Sequence, residues 1–308
     1  MTRVAAVDCG TNSLRLLIAD VDVVAGVSTP LDRRTTIVRL GEGVDRTGVF
    51  AAAALERTFA AVDDYARVIA SYGVEEVRFV ATSAARDVGN RAELVEGVQR
   101  RLGVEPEVIS GDEEARLSFD GAMAALAGLD WVAQPALVVD VGGGSTELAT
   151  RTSRHEPVTG QSLDIGSVRL TERHLHDDPP SPAQVGAARA DITEALDTLR
   201  FDIGAVGTVI GVAGTVTTMA AMVLDLPAYD RDAVDRARLP ATALLRSVET
   251  IVSLTVAERE SLPYMRPGRA DVIAAGALVL EGVVRRTGCR ELGVSVHDIL
   301  DGIAWSLG

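Results

Sequence analysis

The chain has 308 residues, enough for two domains or one large one, and its 47% hydrophobic and 24% charged residues are those of a globular protein, not a disordered one. Thirty basic residues against 44 acidic ones give a net charge of −14, which argues against broad binding to nucleic acid or to an anionic membrane. The chain contains no lysine, which excludes a Schiff base, a pyridoxal site and a lysine-bearing phosphate loop; any phosphate must be held by backbone N–H groups, arginine and metal.

Two cysteines, Cys9 and Cys289, exclude a disulfide framework and favour a reducing compartment. The first apolar run breaks at Asp8, and the longest late one, residues 273–280, is far below a membrane span. A cytoplasmic protein without membrane or nucleic-acid partners is expected.

In chain order, residues 4–7 read as a strand ending at Asp8, followed by a tight glycine turn and a second strand over 14–19. Leu55, Phe59, Val62, Ala66 and Ile69 fall at helical spacing, and Gly73 is placed to end that helix. Residues 77–81 form the next strand. Asn90 and Glu93 have capping-box spacing and open a helix to about Leu102. A strand at 108–110 runs into a helix that starts at Gly111 and carries Glu113, Glu114 and Arg116. A second strand–turn–strand covers 136–147. Ser181 and Pro182 suit the N-cap and first position of a helix reaching about Arg200. Residues 209–213 read as a buried strand, turning at Gly214 and Thr215 into a helix from Val216. The remainder reads as mostly helical, with Thr255 and Glu258 at capping-box spacing.

The chain repeats itself. Asp8, Gly10 and Ser13 recur 132 residues later as Asp140, Gly142 and Ser145, and the same offset carries Val80-Ala81-Thr82-Ser83 onto Val212-Ala213-Gly214-Thr215. Two motifs sharing one offset imply a duplicated unit whose copies face each other across a cleft. The expected division is 1–128 and 129–308, with the last helix packing back on the first part.

The chemistry gathers at these repeats. In the first loop, Gly10, Thr11, Asn12 and Ser13 offer backbone N–H groups and two hydroxyls that together suit a phosphate without lysine. In the second, Gly142, Gly143 and Gly144 let the backbone approach a ligand closely, and Ser145, Thr146 and Glu147 add polar groups. Asp8 and Asp140 end the first strands, and with Glu147 they suit Mg²⁺, which takes one or two carboxylates and keeps waters. Arg86, after the strand end at Thr82 and Ser83, is placed to clamp a phosphate. Glu113 and Glu114 open a helix, where either serves its dipole. His174 and His176 precede Asp177-Asp178-Pro179-Pro180 and read as a solvated loop, while His155 and His297 are isolated.

Taken together, Asp8-Cys9-Gly10-Thr11-Asn12-Ser13, Thr82-Ser83-Ala84-Ala85-Arg86, Ile109-Ser110-Gly111-Asp112-Glu113-Glu114-Ala115-Arg116 and Asp140-Val141-Gly142-Gly143-Gly144-Ser145-Thr146-Glu147 resemble, in order, the exopolyphosphatases and guanosine pentaphosphate phosphohydrolases. Gly211-Val212-Ala213-Gly214-Thr215 and Pro267-Gly268-Arg269-Ala270-Asp271 extend the match. The resemblance implies an α/β fold of two duplicated actin-like (ribonuclease H-like) domains with an interdomain cleft, in the short form. It implies Glu114 as catalytic glutamate, Arg86 near the transferred phosphate, the two loops as phosphate-binding, and Asp140, Glu147 and Asp8 at a Mg²⁺ or Mn²⁺ site. The implied activity is release of orthophosphate from the end of inorganic polyphosphate; the net charge of −14 and the lack of a long arginine run tilt the expectation to short chains, and a homodimer is one assembly the sequence leaves open. Three rivals stand beside it: a phosphohydrolase of pppGpp, a kinase or ATPase of the same fold, and a non-catalytic sensor of polyphosphate or alarmone.

Overall fold

The computed structural model describes residues 1–126, 128–153 and 156–308. Its strands form two sheets. The first contains β1 (Thr2–Cys9), β2 (Ser13–Asp22), β3 (Val27–Ile37), β4 (Glu76–Ala81) and β5 (Glu107–Val108), in the spatial order β3-β2-β1-β4-β5. The second contains β6 (Ala136–Val141), β7 (Thr146–Arg151), β8 (Thr159–Leu163), β9 (Thr208–Val212), β10 (Arg238–Pro240) and β11 (Glu291–Val294), in the order β8-β7-β6-β9-β11-β10. Five strands of each sheet therefore occupy matching places. The register repeats as well: Asp8 lies opposite Arg15 and Val80, and 132 residues on Asp140 lies opposite Glu147 and Val212. The sequence repeat is a structural repeat, in the duplicated actin-like architecture expected.

Between the first strands run α1 (Val44–Thr47), α2 (Ala52–Tyr72), α3 (Ser83–Arg86), α4 (Arg91–Leu102) and α5 (Gly111–Leu126). The second part adds α6 (Ser167–His174), α7 (Pro182–Asp197), α8 (Ala213–Val223), α9 (Arg231–Val234), α10 (Ala241–Ser253), α11 (Val256–Glu260), α12 (Ile273–Thr287) and α13 (Ile299–Trp305). Both central strands are apolar on both faces because both are covered. Ala5 and Val7 of β1 pack under α2 and α4, while Val4 and Ala6 join Ile299, Leu300 and Ile303 of α13. In β6, Leu137 and Val139 enter the large core with α7, α10 and α12, while Ala136 and Val138 meet Ala115, Phe119 and Ala122 of α5. The middle helices are thus exchanged. Helix α5 covers the second sheet and the last helix covers the first. They cross closely at two glycines: a Cβ on Gly302 would lie 2.0 Å from the Leu117 carbonyl, and one on Gly121 2.0 Å from that of Asp298.

Several local expectations change. Strand β3 is eleven residues long yet mostly exposed, and Pro30 and the bulge at Leu31 keep it at the sheet edge, where its polar pattern hides it from a periodicity reading. Strands β10 and β11 lie in the segment read as mostly helical. Asn90 precedes α4 without capping it, because its side-chain oxygen accepts the Phe50 N–H at 2.8 Å. Helix α7 stops at Asp197, and α8 begins at Ala213, three residues early, with Ala213 held at φ 67°. Thr255 does cap α11 and Gly73 does end α2 in the left-handed region. Among the described residues no helix is long and apolar enough to cross a membrane.

Candidate active site

Each hairpin turn is closed by the same bond: Gly10 N–H donates to Ser13 O, and Gly142 N–H to Ser145 O, both at 3.0 Å. The amides between are left over. Among the described residues, the N–H groups of Thr11, Asn12, Gly143, Gly144 and Ser145 donate to no protein acceptor, and the Thr11 hydroxyl is buried without a partner. The two loops meet directly. A Cβ on Gly144 would lie 2.4 Å from Thr11 Oγ1 and 2.7 Å from Ser83 Oγ, so only glycine allows this approach. The N-terminus of α8 faces the same space through Ala213, Gly214 and Thr215. Free amides from two turns and a helix end form an anion nest.

The cavity they enclose is small, about 80 Å³, and its walls include Asp8, Asp140, Glu147 and Glu114. At about 10–15 Å³ per water site, it has room for one phosphate group and a few waters. All four carboxylates are buried. Burial pushes Glu114 up to about 7, with Asp8 and Asp140 adding to the shift and Arg86 opposing it. Asp140 is pushed to about 6, again first by burial. Glu147 lies well above the ordinary range because it is buried and faces Glu114 and Asp140. Neighbouring hydroxyls aim these groups: Ser118 donates to Asp140 Oδ2 at 2.7 Å, and Ser145 and Ser162 donate to Glu147 Oε1 at 2.6 and 2.7 Å.

Placement separates the two adjacent glutamates. Glu114 is 7% exposed and lines the cavity, whereas Glu113 points outward to Arg78 at 2.8 Å. Three expectations are corrected. Thr146 does not face the cavity: it sits on the opposite face of β7 from its neighbours Ser145 and Glu147, and its hydroxyl donates to Ile165 O at 2.5 Å. Arg86 is not a cavity wall; its guanidinium grips Glu114 Oε2 at 2.6 Å and reaches Ser162 Oγ at 3.3 Å. Asp8 is committed to Arg15, which donates to its Oδ2 at 2.8 Å, and among the described residues no three Asp, Glu, His or Cys side chains converge into a ready metal cage. His174 is paired with Asp191 at 2.8 Å, and His155 lies outside the described residues.

Arg15, Ser118 and Ser162, which no motif contains, belong to the site, and so does Arg269, which the last motif contains without a role. The repeat carries the signal for the first, since the offset that pairs Asp140 with Glu147 pairs Asp8 with Arg15. Arg269 packs its guanidinium over Gly214, where a Cβ would lie 1.7 Å from Nη1. Burial, then the neighbouring Arg266 and Arg15, lower its pKa to about 9. Beyond Arg15 and Arg269 the cavity adjoins a second one of about 380 Å³, walled by Arg15, Arg33, Arg231, Arg266, Arg269 and Tyr229. Asp298, the carboxylate in that wall, is already paired with Arg15 at 2.5 Å. These arginines come from two strands, a helix and a loop far apart in sequence. The Arg266 guanidinium lies 4.6 Å from the Tyr229 ring centre.

Known proteins resemble this chain along nearly its whole length. The pattern of the Ppx/GppA phosphatase family matches residues 17–303. Exopolyphosphatase 2 of Mycobacterium tuberculosis is 47% identical over 322 aligned residues, covering 100% of this chain and 99% of its own. A crystal structure of an exopolyphosphatase-like protein superposes with a TM-score of 0.94 at 42% identity, covering 100% of this chain and 99% of that one. The PPX-GPPA enzyme of Aquifex aeolicus follows with a TM-score of 0.81 at 30% identity over 99% of both chains. With the family pattern matching residues 17–303 and a 47% identical relative covering the whole chain, this chain belongs to the Ppx/GppA phosphatase family.

Proposed function

We infer that this chain is an exopolyphosphatase, hydrolysing the terminal phosphoanhydride of inorganic polyphosphate. One observation carries the reading: a one-phosphate cavity lined by free amides and carboxylates adjoins a chamber walled by arginine. The terminal phosphate sits in the nest, where the amides of residues 11, 12 and 143–145 and the α8 N-terminus meet its oxygens. Such preorganised donors stabilise charge on a transferring phosphoryl group without reorganising. Glu114, oriented by Arg86, accepts a proton from the attacking water. The water oxygen forms the new P–O bond, the bridging P–O bond breaks, and its electron pair stays on the shortened chain.

The donor set fits a divalent cation. Asp140 Oδ1 and Glu147 Oε2 accept no hydrogen bond among the described residues, and the crowding of buried carboxylates that raises Glu147 is what a cation relieves. We assign Asp140 and Glu147 as holders of Mg²⁺ or Mn²⁺, through one or two carboxylates with waters and substrate oxygens. The cation supplies neutralisation of phosphate charge. The remaining phosphates enter the arginine chamber, whose finite volume favours short chains. Both cysteines are free, in keeping with a cytoplasmic enzyme.

Tyr229 in the chamber wall favours a second reading, because it places an aromatic ring where a nucleotide end would lie. Phosphate release from tripolyphosphate, long-chain polyphosphate, pppGpp and ATP at one Mg²⁺ concentration decides between them. The highest kcat/KM should be on tripolyphosphate. A highest value on pppGpp establishes the second reading, and no release from any of the four overturns both.

A further inference from the structure

Helix α6 sits where the two halves meet, and its first turn is bonded to the second loop: Ser167 N–H donates to Gly142 O at 2.9 Å and Val168 N–H to Gly143 O at 2.8 Å. Arg169 continues that series with its side chain. Its Nε donates to Gly144 O at 2.7 Å. The rest of the guanidinium turns to the other half of the molecule, with Nη1 on Asp45 Oδ1 at 2.6 Å and Nη2 on Asp87 and Ser83. The segment before Asp45 holds the first loop, since Arg39 N–H and Gly41 N–H donate to the carbonyls of Asn12 and Thr11. One arginine therefore ties the second loop's backbone to the elements that carry the first.

The geometry has a consequence for the nest. In a trans peptide, C=O and the following N–H point in opposite directions. Anchoring Gly144 O on Arg169 turns the Ser145 N–H away from α6, and Ser145 lines the cavity with that N–H unpaired. Three glycines in succession have little conformational preference of their own, so a free loop would sample orientations that point this amide elsewhere. We propose that Arg169 is a positioning residue: it fixes the Gly144–Ser145 peptide so that its N–H faces the substrate phosphate, and does so only when the two halves are closed on each other. Arg173, one turn on, is its control. It pairs with the same Asp45, at 2.6 Å, and with Asp191, but makes no contact with Gly144.

The inference rests on the phosphatase reading. Wild type, Arg169→Ala, Arg169→Lys and Arg173→Ala are compared on tripolyphosphate for kcat, KM and thermal melt. Loss of one preorganised donor costs about 10²–10³ in rate where measured, so Arg169→Ala should lose about 10²-fold in kcat. Arg169→Lys should fall between, because a single ammonium cannot serve Gly144 and both aspartates in the same fork geometry. Arg173→Ala should keep nearly all of kcat. Methylguanidinium in the assay should restore part of the Arg169→Ala rate, which a loss of folding would not allow. Equal losses in Arg169→Ala and Arg173→Ala, or a wild-type kcat in Arg169→Lys, overturn the proposal. If Arg169→Ala does not fold, Arg169→Lys decides. If wild type releases no phosphate, the family activity fails instead, and the rise in melting temperature produced by tripolyphosphate is compared across the same variants. An unchanged rise in Arg169→Lys then overturns the positioning role.

Discussion

Glu114 carries two opposing influences that make it a usable base. Burial and the charges of Asp8 and Asp140 raise its pKa to about 7, while Arg86 at 2.6 Å keeps the ionised form within reach. A base must be unprotonated, and a raised pKa moves the loss of that form upward in pH. The rate should therefore climb as pH rises to about 7 and level off above it. Glu114→Gln should lower kcat by about 10²–10⁴, the usual contribution of a general base, and abolish that rise. Glu113→Gln, whose side chain faces Arg78 outside the cavity, should leave kcat nearly unchanged. A pH–rate profile of the three proteins checks both statements; equal losses in the two variants would reject the assignment.

At the scale of elements, the site depends on α13 staying on the first sheet. Its first turn holds Asp301, which accepts from Arg33 of β3 at 2.7 Å and meets His297 Nδ1 at 2.9 Å. Burial works against the Asp301 charge, yet Arg33 and His297 hold its pKa well below the usual carboxylate range. A depressed carboxylate stabilises the fold above its unfolded pKa, about 3.9, and that stabilisation is lost as pH falls below it. The melting temperature of the wild type should thus drop as pH falls from about 4 toward about 2. Asp301→Asn should cost about 2 kcal/mol at neutral pH, the scale of a charged hydrogen bond, and melt with a shallower acid slope. Parallel slopes in the two proteins would show that α13 is anchored by its apolar face alone.

For the molecule as a whole, the net charge of −14 and the absence of an arginine run suggest no concentration of positive charge, yet folding brings five arginines together. Arg15 from β2, Arg33 from β3, Arg231 from α9 and Arg266 and Arg269 from the loop before α12 converge on one chamber. Arg231, like Arg33 and Arg266, lines the chamber and not the one-phosphate cavity. Arg231→Ala should raise KM for tripolyphosphate severalfold and leave kcat nearly unchanged, the pattern of lost uniform binding. Initial rates over a range of tripolyphosphate concentration test this. A kcat effect as large as the KM effect would place Arg231 at the chemistry instead.

Duplication, the two glycine loops and the acids around them are legible in the chain itself, because a turn that must approach a ligand closely demands glycine at set positions and a repeat writes that demand twice. The register repeats as well, but the pairing of Asp8 with Arg15 and of Asp140 with Glu147 at one offset comes from the structure. Edge strand β3 and strands β10 and β11 escape, since an exposed or short strand needs no alternating apolar pattern. Which face a side chain takes also escapes where the strand is buried on both sides, and this is why Thr146 looks like a ligand and turns out to bond Ile165. Only the tertiary structure decided that Arg86 holds Glu114, that α5 crosses to cover the second sheet, and that five scattered arginines share a chamber. Pairings of this kind join residues far apart along the chain, Arg33 and Asp301 by 268 positions and Arg15 and Asp298 by 283, and no local spacing rule reaches that far.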